Sequence, residues 1–229
     1  MKKFSNYREA EDYIIDNVVT SPEFITSFTY ERLGTGFVLV NPLDNKNGRS
    51  NYDYADKFFE WLLSGEKELS QDVLKANPWV ARFVDTSGLP DNFSSSYGWK
   101  IQQQITDVCR EIIEHKESRR GYLQILQPED NIIRTAKTTH EYPCTIGLHF
   151  FVRGGKLHLM VNMRSNNLYS VMPYDVYNFT MLQSHICKLL EIPIGNYYHQ
   201  INSAHVFRGD ARRWCEQRQT DYDEISKYD

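Results

Sequence analysis

The stretch YPCTIGLHFFVRGGKLHLMVNMRSNN, residues 142–167, decides how this chain is read. Residues 146–152 and 157–163 are two runs of strand length, rich in β-branched, aromatic and aliphatic side chains, and Arg153-Gly154-Gly155-Lys156 joins them. A Gly-Gly pair supplies the positive φ that a two-residue hairpin turn demands, so the pattern predicts an antiparallel hairpin. Cys144 stands just before the first strand and Arg164-Ser165 just after the second. A hairpin returns the chain to where it began, so Arg164 comes back beside Cys144 although twenty residues separate them. A cation beside a thiol favours the thiolate, the nucleophilic form. A free Cys is also commonly a small buried hydrophobe, and that plainer reading stands next to the first.

Outward from the hairpin, the pattern mixes helices and strands without strict alternation. Residues 54–63 read as a helix with Phe58, Trp61 and Leu62 on one face, ended by Ser64-Gly65, and residues 101–115 read as another. Both are expected to pack on a sheet. After Arg164-Ser165-Asn166-Asn167 opens a loop, Pro173 precedes a helix over residues 176–191, in which Phe179, Leu182, Ile186, Leu189 and Leu190 keep helical spacing. Residues 77–96 are loop-like, with Asn77-Pro78, Gly88-Leu89-Pro90-Asp91 and three serines. No repeat or low-complexity tract divides the chain, so one domain over residues 1–229 is expected.

Composition narrows the function classes. The chain is 41% hydrophobic and 24% charged with 15 Tyr and 12 Phe, which fits a folded globular protein. A net charge of -4 argues against a broad nucleic-acid-binding surface, while local arginines remain able to hold a small anion. Cys109, Cys144, Cys187 and Cys215 are widely separated and form no CxxC pair, so neither a zinc site nor a compact disulfide framework is expected. Reduced thiols, the lack of a signal-like apolar run after Met1 and the lack of a membrane span point to a soluble protein of the cytoplasm.

Several segments carry a family resemblance when taken in order. They are Glu31-Arg32-Leu33-Gly34-Thr35-Gly36, Tyr97-Gly98-Trp99, Ser118-Arg119-Arg120, Pro143-Cys144 with its hairpin, Val161-Asn162-Met163-Arg164-Ser165-Asn166, Ser203-Ala204-His205-Val206 and the ending Lys227-Tyr228. This set resembles the thymidylate synthases and, still more closely, the bacteriophage deoxycytidylate hydroxymethylases. The resemblance implies an α+β fold, a mixed sheet flanked by helices, in a homodimer with sheets packed back to back. It also implies a C1 transferase acting on a pyrimidine nucleotide monophosphate such as dCMP, with 5,10-methylenetetrahydrofolate as co-substrate and no metal. A phage origin would place it in host cytoplasm, in DNA modification.

By the same resemblance Cys144 is the nucleophile and Tyr97 belongs to the active site. Arg32, in a Gly-Thr-Gly turn, together with Arg164 and Ser165 would bind the phosphate, with Arg119 and Arg120 reaching the partner subunit's nucleotide. Arginine forks suit a phosphate dianion better than lysine does. Asp175, eleven residues after Arg164, occupies the base-selecting position, where an Asn would imply uracil and an Asp implies cytosine. His205 and the residue at 207 would meet the sugar, and Asn167 and Trp79 the folate. Taken alone, Arg119-Arg120 is a solvated charge run, Asp175 a helix-start acid favoured by the macrodipole, and His205 a structural His.

Three positions depart from the family. Phe58 stands where the family has a catalytic Glu, and Glu60 lies about 200° around the helix from it, so it is no direct substitute. Asn167 replaces an Asp that contacts the pterin, and Phe207 replaces a Tyr whose hydroxyl helps hold the sugar, which leaves ribose as well as deoxyribose open. The alternatives to a hydroxymethylase are a cytosine nucleotide C5 methyltransferase and a nucleotide-binding relative that has lost turnover.

Overall fold

The computed structural model describes residues 1–83, 96–130 and 142–219. Gly88-Leu89-Pro90-Asp91 and Lys227-Tyr228 lie outside the described residues. The strands are β1 (Lys2–Phe4), β2 (Phe24–Ile25), β3 (Thr29–Leu39), β4 (Tyr122–Gln124), β5 (Thr145–Arg153), β6 (Lys156–Met163), β7 (Asn166–Asn167) and β8 (Ile194–Phe207). They form a sheet of order β1-β3-β8-β6-β5-β4, with β2 added to β3 and β7 to β8. It is mixed: β1 with β3, β6 with β8 and β7 with β8 run parallel, and the other pairs antiparallel. Helices among the described residues include α1 (Tyr7–Thr20), α2 (Tyr52–Ser64), α3 (Gln71–Ala76), α4 (Tyr97–Gln102), α5 (Ile105–Glu114), α6 (Met172–Leu190) and α7 (Arg208–Arg218). The expected mixed sheet flanked by helices is what forms.

The hairpin appears where the sequence put it. Gly154 and Gly155 carry φ of 57° and 71°, the double left-handed turn whose twist matches the two strands. Along β5, β6 and β8, alternation sorts the side chains onto two faces. Leu148, Phe150, Leu159, Val161, Met163, Tyr197 and Ile201 are buried on the face that α1, α5 and α6 cover. His149, Phe151, His158, Met160, Asn162 and Tyr198 occupy the opposite face and are only half-buried.

The helices differ from expectation in several ways. The segment expected as one helix over 101–115 breaks into α4 and α5, because Gln104 leaves the helical path to serve the sheet edge. Its Nε2 donates to the carbonyls of Lys100 and Gln124, and its Oε1 accepts from the Gln124 N–H. Helix α6 begins earlier than expected, taking Pro173 into its first turn, where the ring's fixed φ is helical and its missing N–H costs nothing. Leu189, which keeps the helical spacing of the apolar residues, is 63% exposed.

Helix α2 forms as expected, with Asn51 accepting from the Tyr54 N–H at its start and Gly65 at φ 70° ending it. It packs chiefly on α3, α4 and α6 rather than on the sheet. There Tyr54, Trp61, Val73 and Val80 form a small second core, with Phe58 and Tyr174 against it, while Leu62 joins the main core. Pro78–Phe83, expected as loop, is a 3-10 helix, and Gly34-Thr35-Gly36, expected as a turn, lies within β3.

Candidate active site

Cys144 precedes β5, and Arg164 follows β6. The Arg164 N–H donates to the Cys144 carbonyl at 2.8 Å, so the ladder closes at the base of the hairpin and brings both side chains together. Arg164 Nη2 lies 3.7 Å from Cys144 Sγ and also donates to the Tyr142 carbonyl at 2.9 Å, while Nε donates to the Pro143 carbonyl at 2.9 Å. The guanidinium also lies over the Tyr142 ring, 4.7 Å from its centroid. A half-buried guanidinium held at three points presents a fixed positive charge to the sulfur, and such a charge stabilises a thiolate.

A bulge shapes this end of β5, because Thr145 pairs with Met163 but Gly147 with Asn162. The extra residue kinks the strand and re-aims the side chains before it. Gly147 is required there, since a Cβ would lie 2.2 Å from Tyr122 Oη and 2.6 Å from the Leu123 carbonyl. From α4, Tyr97 Oη accepts from the N–H groups of Cys144 at 3.2 Å and Thr145 at 3.4 Å, and its ring stacks on Phe179 of α6 at 6.3 Å. In this arrangement Tyr97 holds the backbone that carries the thiol.

Ser165 Oγ lies 3.4 Å from His205 Nδ1 on β8. Burial pushes His205 below the ordinary histidine range, with Glu31, directly opposite on β3, pulling the other way. Phe207 is 45% exposed and meets the His205 ring edge-on at 5.6 Å, where it covers the imidazole without offering a hydrogen bond. Asn167 lies beside His205 in the β7–β8 ladder, and its Oδ1 accepts from the N–H groups of Tyr169 and Ser170 in a local turn. Asp175, in the first turn of α6, accepts at Oδ2 from Asn166 Nδ2 at 2.7 Å.

Cys144, Tyr97, Arg164, Ser165 and His205 are thus linked by direct contacts, with Asn167 beside His205 and Asp175 joined to β7 through Asn166. Other candidates lie farther out. Arg32 donates from Nη1 to the Ser21 carbonyl at 2.7 Å and pairs along the backbone with Ala204, next to His205. The Arg119 carbonyl meets His149 Nε2 at 2.8 Å on the half-buried sheet face, and Arg120 Nε donates to Glu111 at 3.0 Å. Both arginines therefore sit along β5 from Cys144 rather than over it. Trp79 is 72% exposed on the 3-10 helix, and Phe58 packs against Tyr54 at 5.8 Å and Trp61 at 5.2 Å in the second core.

Sequence reasoning gave no role to three polar residues behind Asp175: Asn166, His199 and Tyr197. The signal was present, since His199 alternates with Tyr197 and Ile201 on the core-facing side of β8, and a polar ring there must find partners. Among the described residues, no group of three or more His, Cys, Asp or Glu could hold a metal, and no helix is long and apolar enough to cross a membrane.

Residues 60–227 match the family model of thymidylate synthase. Among curated proteins, a thymidylate synthase of Bacillus licheniformis is 30% identical over 110 residues, which is 48% of this chain and 37% of that protein. The deoxycytidylate 5-hydroxymethyltransferase of Enterobacteria phage T4 is 25% identical over 163 residues, or 69% of this chain and 61% of that one. The matched stretches thus span 37% and 61% of these relatives, less than two thirds of either. Among solved structures, thermostable thymidylate synthase A from Bacillus subtilis superposes with a TM-score of 0.73 at 17% identity, covering 94% of this chain and 85% of that chain, a likeness of fold.

Proposed function

Because this chain belongs to the thymidylate synthase family, we propose that it is a single-domain enzyme that transfers a one-carbon unit to C5 of a cytosine nucleotide, dCMP or CMP, giving the 5-hydroxymethyl product. The observation that carries the choice of base is Asp175, whose Oδ2 is held by Asn166 at 2.7 Å. A carboxylate accepts hydrogen bonds from the cytosine amino group and from a protonated N3, and uracil offers no such pair of donors.

In this reading the Cys144 thiolate, with Arg164 beside it, adds to C6 of the pyrimidine, forming a C–S bond and moving the C5–C6 π electrons onto C5. The co-substrate, 5,10-methylenetetrahydrofolate, supplies the electrophilic carbon that C5 accepts. Loss of the C5 proton and cleavage of the bond between that carbon and the folate nitrogen would release tetrahydrofolate and leave an exocyclic methylene, to which water adds as the C6–S bond breaks, returning the thiolate. Asp175, accepting from the amino group and the protonated N3, favours the N3-protonated ring, which is the form that takes up those electrons. Arg32, Arg164 and Ser165 bind the phosphate and His205 meets the sugar, with Phe207 packed on its ring.

The residues present fit a folate. Trp79 offers an exposed indole for stacking, and Asn167, whose Oδ1 is committed to its turn, has its carboxamide NH2 for recognition. The half-buried sheet face of Phe151, Met160 and Tyr198 supports a homodimer through that face. Arg119 and Arg120, at its margin, would complete the partner's phosphate site. Mass spectrometry of dCMP, CMP and dUMP incubated with the protein and methylenetetrahydrofolate tests the reading. A gain of CH2O on a cytosine nucleotide supports it, a gain of CH2 makes the protein a methyltransferase, and no change on any of them refutes turnover.

A further inference from the structure

Behind the nucleotide site, on the core-facing side of the sheet, runs a polar chain that the reaction above leaves without a role. Tyr197 Oη lies 2.8 Å from His199 Nδ1, His199 Nε2 lies 2.9 Å from Asn166 Oδ1, and Asn166 Nδ2 lies 2.7 Å from Asp175 Oδ2. Tyr197, His199 and Asn166 are buried, and Phe37 stacks on the His199 ring at 5.2 Å. These residues come from β8, β7 and the first turn of α6, so the chain ties the start of a helix to the middle of the sheet.

Its hydrogen-bond direction is fixed from one end. An ionised carboxylate only accepts, so Asn166 must turn its NH2 toward Asp175 and its Oδ1 toward His199. His199 Nε2 must therefore carry a proton. Burial pushes His199 down to about 3, so the ring is neutral, its Nδ1 is bare, and the Tyr197 hydroxyl donates to it. Every proton in the chain points toward Asp175. Reversing any one link would set two donors or two acceptors face to face inside the core, where the mismatch finds no water to relieve it.

We propose that Asn166, His199 and Tyr197 are positioning residues that hold the Asp175 carboxylate in one orientation and thereby set the preference for cytosine over uracil. This rests on the assignment of Asp175 as the base-recognising residue. The sheet, through this chain, then fixes what the nucleotide site reads: Asn166 has only donors to offer Asp175 as long as His199 holds its Oδ1. Once that donor is lost, the Asn166 carboxamide is free to flip and Asp175 loses its anchor.

The test pairs His199→Phe with His199→Gln, because Gln keeps an N–H donor toward Asn166 and Phe does not. Calorimetric Kd values for dCMP and dUMP are measured on the parent and on each variant. The parent is expected to prefer dCMP, His199→Phe to lose about tenfold or more of that preference, and His199→Gln to recover most of it. General damage to the fold would weaken both nucleotides alike and leave the ratio unchanged. Nitrogen NMR of the parent gives a readout independent of any ligand: His199 is expected as the neutral Nε2–H tautomer at pH 6. An Nδ1–H tautomer or an imidazolium overturns the chain itself. A parent that prefers dCMP but keeps its ratio in His199→Phe overturns the positioning role alone, whereas a parent without that preference overturns the Asp175 assignment and this proposal with it.

Discussion

Replacing Asp175 with Asn tests base recognition with the least change in shape. Asn166 Nδ2 donates to Asp175 Oδ2 at 2.7 Å, and the chain behind it leaves Asn166 only donors to present there. The new carboxamide must therefore turn its oxygen toward Asn166, which places its NH2 toward the base. That NH2 would meet the cytosine amino group, donor against donor, whereas it would donate to O4 of uracil. Leaving such a pair mismatched in a desolvated site costs about 1–3 kcal/mol, or roughly five- to 150-fold in kcat/KM for the cytosine nucleotide. Exchanging a charge-assisted bond for a neutral one also lowers fold stability by about 1 kcal/mol, a Tm change of about 2–4 °C in a chain of this size. Helix α6 itself should persist, since Asn near a helix start is tolerated. The assay is kcat/KM for parent and variant on dCMP, CMP, dUMP and UMP, with a thermal melt alongside. If the parent already prefers uracil, or the cytosine-to-uracil ratio does not fall in the variant, the reasoning about Asp175 is wrong.

Cys144→Ser is expected to abolish tritium release from C5-labelled nucleotide while leaving nucleotide binding largely intact, because the alkoxide is hard to form at neutral pH and the proposed phosphate contacts come from arginines; release at the parent rate would remove Cys144 as the nucleophile. Mixing Cys144→Ser with Arg119→Ala chains is expected to restore activity through heterodimers with one complete site each, and a clean monomer by sedimentation would end the idea. His199 titrates at about 3 when folded against 6.5 in the unfolded chain, so the unfolded state takes up the extra proton between those values. Its contribution to stability is therefore complete above about pH 6.5 and declines as pH falls toward about 3, reaching a loss of about 2 kcal/mol near pH 5. Denaturant melts at pH 7 and pH 5 should show this loss in the parent and not in His199→Gln, and equal losses would contradict it.

The hairpin and the meeting of Cys144 with Arg164 at its base were legible because both rest on local rules. Two glycines with positive φ fix the turn, and the turn fixes where Cys144 and Arg164 meet. Helices misread in the sequence were misread for tertiary reasons. Gln104 breaks the 101–115 pattern to bond the β4 backbone, a demand visible only once β4 is beside it. Leu189 keeps helical spacing yet faces outward, since periodicity marks an apolar stripe without saying what covers it. The chain behind Asp175 escaped because it joins residues 166, 175, 197 and 199 across three elements, and no spacing rule links them.

The division of the interior into two cores sets how parts of the molecule open. Tyr54, Trp61, Val73 and Val80 pack among themselves, while α2 meets the main core through Leu62, with Phe59 and Leu63 packed against it. A unit with so small a core of its own can detach at a lower free energy than the inner strands of the sheet, which are held on both sides by ladders. Amide exchange in α2 and α3 should therefore be faster than in β5, β6 and β8, as one cooperative block. Tyr174 belongs to that block and Asp175 follows it in the chain, so such an opening would reach the first turn of α6 while the thiol end of the site stays closed.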